Sequence, residues 1–193
     1  FEREQRLPWR TRIATGIIKW CLNNFKKYVF LTEAMNVVNE RKRPYIVMEG
    51  MSDRFMATYK RPFEAKDIKV VMYAGGLHER YGLKKLTEAF MMLPQENFRL
   101  KLFGSGPFVE KLKTKYTKKD SRIQYMGVAP NAEVVAAELD ASLLVNPRPT
   151  HEEFTKYSFP SKNIEYMASG TPLLTTKLPG MPKEYYPYVF LIE

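Results

Sequence analysis

Ser158-Phe159-Pro160-Ser161-Lys162-Asn163-Ile164-Glu165-Tyr166-Met167-Ala168-Ser169-Gly170-Thr171-Pro172 sits between two apolar runs, Ser142-Leu-Leu-Val-Asn146 and Pro172-Leu-Leu-Thr-Thr176. The runs read as strands and the stretch between them as a short helix over 160–169. Pro160 suits the first helical position, because its missing N–H would be unpaired there anyway. Gly170 suits the left-handed residue just past a helix end. Such a helix opens at the carboxyl end of a strand, where free N–H groups and the positive dipole end can hold an anion. Lys162 adds a positive charge in that first turn, where the dipole alone disfavours one, and a bound phosphate would account for it. Glu165 lies one turn further in. An ordinary βαβ crossover with a solvent-facing lysine fits the same periodicity equally well.

Working outward, strands and helices alternate. Strands are expected at 68–74, 98–103, 123–126, 142–146, 172–176 and 188–192. Helices are expected at 81–93, 107–115, 131–139 and 160–169. That alternation predicts an α/β fold, a Rossmann-like parallel sheet with helices on both faces. Ligands of such sheets bind at the carboxyl ends of the strands. Ahead of this region, steps of three and four among Ile13, Ile17, Trp20, Cys21 and Phe25 predict an amphipathic helix over 7–27. That helix face is expected to pack on the sheet, with an anionic membrane as the alternative. Tyr28–Thr32 and Tyr45–Met48 read as short strands, with a helix from Thr32 to about Arg43 between them. Residues 51–67 read as a linker.

Three strand ends exit through glycine: Gly75-Gly76 with Arg80 just beyond, Gly104-Ser105-Gly106-Pro107, and Gly127-Val128. Glycine lets the backbone approach a ligand closely and exposes N–H groups. Each such turn alone is common geometry. Together with the Pro160 helix, four loops converge on one edge of one sheet, which favours a nucleotide-sized anion. Arg80 can fork onto a phosphate, and Arg148 either reaches the ligand or is merely solvated. The dinucleotide fingerprint G-x-G-x-x-G, the P-loop and the Gly-x-Ser-x-Gly elbow are all absent.

The chain has 193 residues and a formal charge of +10, with one cysteine, Cys21, and two histidines, His78 and His151. One cysteine permits no internal disulfide and no thiolate zinc site. Residues 1–66 hold 14 Lys/Arg against seven Asp/Glu, a charge of +7, which leaves +3 for the rest. A basic front third suits anionic partners. No apolar run reaches the ~20 residues of a membrane span.

The segments 72–107 and 142–176 resemble the family 4 glycosyltransferases of GT-B architecture. The resemblance rests on the glycine turn after the first strand, on Gly104-Ser-Gly-Pro107, and above all on Glu165 followed by Ala168-Ser-Gly-Thr-Pro172. It implies two Rossmann-like domains with the active site between them. Residues 1–50 would be the tail of the acceptor-binding domain. Residues 68–193 would be the domain that binds the nucleotide-sugar donor, cut short of its closing helix and unable to turn over alone. The implied reaction is retaining and needs no cofactor or metal: a sugar moves from a nucleoside diphosphate to a carbohydrate or lipid-linked acceptor hydroxyl. Glu165 matches the glutamate that holds the donor ribose. Tyr157, eight residues before Glu165, stands where the family carries the first of its two glutamates, against the sugar. Gly76 and Tyr81 stand where the diphosphate-binding arginine and lysine fall, so Arg80 and Lys162 are the expected catalytic cations. The expected donor contacts are Gly75, Gly76, Gly106, Gly127, Val128, Ser158, Phe159, Pro160, Ser161 and Glu165. Asn146-Pro-Arg148 with Ser158-Phe-Pro-Ser-Lys162 is similar to a bacterial exopolysaccharide or capsule branch. This implies a cytoplasmic protein, peripheral at the inner face of the membrane, with no nucleic-acid partner. The rival reading is a non-catalytic Rossmann-like binding domain whose basic front helix meets nucleic acid or anionic lipid.

Overall fold

The computed structural model describes residues 8–53, 56 and 66–192, so most of the expected linker lies outside the described residues. The front of the chain makes α1 (Trp9–Asn24) and two short parallel strands, β1 (Tyr28–Phe30) and β2 (Tyr45–Val47). The helix expected from Thr32 to Arg43 is instead a 3₁₀ segment, Glu33–Val38. Asn39 explains the early stop. Its side-chain amide donates to the Arg43 carbonyl and its Oδ1 accepts from the Arg43 N–H, both at 2.8 Å. Those are backbone groups that a continuing helix would have used. Thr32 does not cap either; its hydroxyl donates to the Lys156 carbonyl at 2.9 Å and ties the front to the rest of the chain.

Six strands follow: β3 (Lys69–Ala74), β4 (Phe98–Phe103), β5 (Ile123–Gly127), β6 (Leu143–Asn146), β7 (Leu173–Thr176) and β8 (Phe190–Ile192). They form one sheet in the order β5-β4-β3-β6-β7-β8, every neighbouring pair parallel. Between the strands run α2 (Leu83–Met91), α3 (Phe108–Lys111, continuing through a π-helical turn, Leu112–Tyr116), α4 (Asn131–Asp140) and α5 (Ser161–Ala168). Leu83 and Phe90 of α2 and Phe108, Leu112 and Tyr116 of the third helical stretch pack on Val71, Tyr73, Leu100 and Leu102. On the other face, Val134 of α4 and Tyr166 of α5 pack on Val70, Met72, Phe103, Leu144 and Leu173. The chain therefore winds outward from β3 over one face, returns beside it at β6, and winds out again over the other.

That return makes the carboxyl ends of β3 and β6 a topological switch point, where doubly wound sheets bind their ligands. The two strands pair only at Val71–Leu143 and Met72–Leu144 before diverging. Tyr166 reaches from α5 to the freed end of β3. Its hydroxyl accepts the Ala74 N–H at 2.8 Å and donates to the Ala74 carbonyl at 3.2 Å, all of it buried. Tyr166→Phe leaves both backbone groups unpaired, so it should lower stability by about 1–3 kcal/mol in urea unfolding. A change under a few tenths of a kcal/mol would show that water or a strand neighbour replaces the hydroxyl.

Two further expectations need correction. The apolar face of α1 does not pack on the sheet: α1 has no buried residue, and Ile13, Ile17 and Trp20 are all exposed. Its end is held to β1 instead, by the Tyr28 hydroxyl on the Leu22 carbonyl at 2.5 Å and by the edge contact of Phe25 with Tyr28. The last strand is Phe190–Ile192, because Tyr188 ends a 3₁₀ segment, Lys183–Tyr188. Among the described residues no helix is long and apolar enough to cross a membrane.

Candidate functional site

The glycine turns line up across the strand ends. The Gly75 N–H donates to Phe103 at 3.1 Å, and the Gly104 N–H donates to Gly127 at 2.7 Å. The close approach these glycines permit is partly backbone to backbone. A Cβ on Gly106 would lie 2.3 Å from the Leu77 carbonyl oxygen, and one on Gly104 would lie 1.9 Å from that of Gly75. Gly76 is open to solvent and flanked by His78 and Tyr81, and Val128 is exposed at the end of β5.

At the switch point the structure joins two arginines. Arg80, from the β3 turn, and Arg148, from the β6 exit, both lie over the rings of Tyr81 and Phe154. Arg148 is 4.5 and 5.7 Å from the two ring centres and Arg80 is 5.2 and 5.8 Å. Cation–π contact holds the guanidinium planes, and the Thr176 hydroxyl on the Arg148 carbonyl at 2.5 Å fixes the backbone. Arg148 is half-buried and its Nε has no hydrogen-bond partner among the described residues. Burial lowers its pKa and the charge of Arg80 adds to that, against the opposing influence of Tyr81 and Tyr73. Burial and the neighbouring Arg148 act in opposite directions on Tyr73, and burial prevails, at about 12. Among the described residues neither arginine has a carboxylate within ion-pair distance. Two adjacent cations without a counter-ion make a place for an anion.

Lys162 belongs to a second cluster. Its ammonium lies 2.8 Å from Glu165 and 3.2 Å from Glu138 of α4. Burial works against its charge, but the two carboxylates outweigh burial and raise its pKa. The Glu138 side chain is 0% exposed, its Oε2 has no hydrogen-bond partner among the described residues, and burial lifts its pKa to about 7. Glu165 opens on a cavity of about 340 Å³, walled by Asn131, Val135 and Leu139 of α4 and roofed by Met51, Ser52 and Asp53. Beneath α5, the Asn163 side chain accepts from Asn146 at 2.6 Å and donates to Thr175 at 3.3 Å, pinning the helix to β6 and β7.

The remaining expected residues divide. Pro160 precedes the first helical residue, Ser161, which is exposed. Gly170 does take the left-handed conformation, φ 72°. Phe159 is buried, stacked on Tyr185 and packed with Leu178 and Met181, so it supports the loop from below. The Ser158 hydroxyl donates to the Phe154 carbonyl at 3.3 Å. Arg80 meets Arg148, and Lys162 meets Glu165. Among the described residues these are two clusters. Glu138 was missed altogether, although its place one turn after the apolar Val134 puts an acid on the buried face of α4.

A doubly wound parallel sheet with an arginine couple at its switch point defines a Rossmann-like domain. Residues 68–187 match the family Glycosyl transferases group 1, and the chain belongs to that family. WcaL of Escherichia coli (strain K12), named for a glycosyltransferase role in colanic acid biosynthesis, is 30% identical over 112 residues. That match covers 55% of this chain and 27% of WcaL. The chain thus spans about a quarter of the length of the curated relatives it matches. Sucrose-phosphate synthase from Thermosynechococcus elongatus superposes with a TM-score of 0.70 at 21% identity, over 98% of this chain and 50% of that one. A variant of Staphylococcus aureus TarM, solved with fondaparinux, α-GlcNAc-glycerol and UDP, gives 0.64 at 13%, over 93% and 36%. At these identities the likeness concerns the fold, which is that of the GT-B glycosyltransferases.

Proposed function

We propose that this chain supplies the donor-binding half of a retaining family 4 glycosyltransferase. The enzyme moves a sugar from a nucleoside diphosphate to an acceptor hydroxyl in polysaccharide or glycoconjugate synthesis, at the cytoplasmic face of the membrane and without a cofactor. The observation that carries this reading is the couple of Arg80 and Arg148, held on Tyr81 and Phe154 at the switch point with no carboxylate partner among the described residues. As the sugar leaves, negative charge grows on the diphosphate. Donors fixed beforehand stabilise it without reorganising at that moment. The arginines and the exposed turn at Gly75-Gly76 would do this, with Lys162 and the first turn of α5 joining once the donor is seated. Glu165, facing the cavity beside Asn131, would accept hydrogen bonds from the ribose hydroxyls. The acceptor has to be brought against the anomeric carbon from elsewhere, and that alignment is worth several kcal/mol. The 193 residues alone should therefore bind donor and turn nothing over.

Calorimetric titration with UDP and GDP, and with uridine and guanosine, tests the reading. At least one diphosphate should bind. Arg148→Ala should weaken it by about 1.5–3 kcal/mol, the range for charge-assisted hydrogen bonds, or roughly 10- to 150-fold. The bare nucleoside should lose far less. Equal losses for both would show that Arg148 only supports the fold, and no binding of any nucleoside diphosphate by folded protein would defeat the reading.

A further inference from the structure

Resting on that reading, we propose that Glu138 is a positioning residue of the donor site, holding Lys162 in the empty site and yielding it to the donor's diphosphate. The cluster holds one ammonium between two carboxylates, a formal charge of −1 in a place where Glu138 has no exposed side-chain surface and Lys162 only 30%. Glu138 Oε1 has Lys162, while Oε2 has no partner among the described residues. A carboxylate so placed is half-satisfied, a costly state for a buried charge. It is also the lesser partner, since Lys162 lies closer to Glu165. The groups facing it are Lys162, Glu165 and the buried Tyr166, all on α5. On its own helix, Asp140 pairs with Lys66 at the surface, and Asp53 stands across the cavity.

A diphosphate that draws the Lys162 ammonium toward itself removes the cation that sits between the two carboxylates. Glu165 keeps its cavity face and can take ribose hydroxyls. Among the described residues Glu138 has no second donor, so as Lys162 moves out it takes up a proton from the buffered solution. Its pKa of about 7, raised by burial and by the charge of Glu165 against the pull of Lys162, makes that proton available near neutrality. Glu138 touches no reacting atom in this scheme. It sets where Lys162 points before the donor arrives and makes its release depend on pH.

The test is calorimetric titration of the full chain with UDP-glucose and GDP-mannose, whose diphosphates do not titrate between pH 6 and pH 8. If only the protonated form of Glu138 releases Lys162, wild-type affinity should fall about tenfold from pH 6 to pH 8. At pH 7 each bound nucleotide should take up about half a proton, read from how the heat varies with the buffer's ionisation enthalpy. E138Q should show neither dependence. Proton uptake is measured on the wild type and stands even if E138Q fails to fold. Binding with a flat profile and no uptake overturns the role of Glu138 alone, as does the same profile in E138Q. No binding at any pH defeats the donor reading, and this inference with it.

Discussion

Gly82→Ala is expected to destabilise the protein by at least about 3 kcal/mol, at the exceptional end of single substitutions. Gly82 separates the 3₁₀ turn Glu79–Tyr81 from α2 and has φ 84°, where a non-glycine residue costs roughly 1–2 kcal/mol by itself. The larger part is steric. An alanine Cβ there would lie 1.9 Å from the Pro147 carbonyl oxygen and 2.8 Å from its carbon. Neither obstacle is a flexible side chain. To make room, the turn after β3 must move away from the exit of β6, and these are the segments that carry Arg80 and Arg148. Gly170→Ala is the matched control, since it has φ 72° with nothing within 4 Å of the added Cβ. Urea unfolding of both variants separates the terms. A Gly82→Ala loss no larger than that of Gly170→Ala would show that the two loops are not braced against each other.

Glu138→Gln is expected to stabilise the protein above neutrality, by as much as about 3 kcal/mol with the pull of Lys162 already included. Burial raises the folded pKa from an ordinary 4.5 to about 7. The folded state thus binds the proton more tightly than the unfolded one. Stability from this group is greatest below pH 4.5, falls as pH rises toward 7, and stays at the lower value beyond. A displacement of about 2.5 units at 1.36 kcal/mol each sets the upper figure. Glutamine keeps the shape and has no charge to bury, so the difference between variant and wild type should grow from pH 4.5 to pH 7 and then level off. Denaturant midpoints at pH 5, 6, 7 and 8 measure it. A difference that is constant across that range would mean that Glu138 is already satisfied as a carboxylate.

Most of the doubly wound sheet was legible because its signals are local. Apolar runs such as Lys69–Ala74 and Leu143–Asn146 are bounded by glycine and proline, and each strand was expected within a residue or two of its place. The π-helical turn at Leu112–Tyr116 left no mark in the residue pattern. The front of the chain misled because its outcome depends on side-chain competition and on partners. Asn39 captured the backbone groups of Arg43, and the apolar stripe of α1 faces solvent in the described residues. At the site, glycines and cations could be found from spacing, but not which of them meet. Lys162 read as a free cation at a helix start, because Glu138 lies 24 residues away in sequence and reaches it only through the packing of α4 on α5. Arg148 read as either ligand or solvated surface, and only the crossover that sets β6 beside β3 brings it against Arg80. Phe159 looked like part of a ligand loop because it shares that loop, yet it faces the core.

The central claim is that the β3–β6 switch point holds a nucleoside diphosphate, and mapping where that ligand touches the chain tests it most directly. In backbone amide spectra of the full chain titrated with UDP or GDP, the largest shifts are expected at Gly75, Gly76, Arg80 and Arg148. A second group is expected at Ser161, Lys162 and Glu165. Shifts confined to the basic surface of α1, at Arg10, Arg12 and Lys19, with the switch point unperturbed, would contradict that claim and favour a binding domain without a donor site.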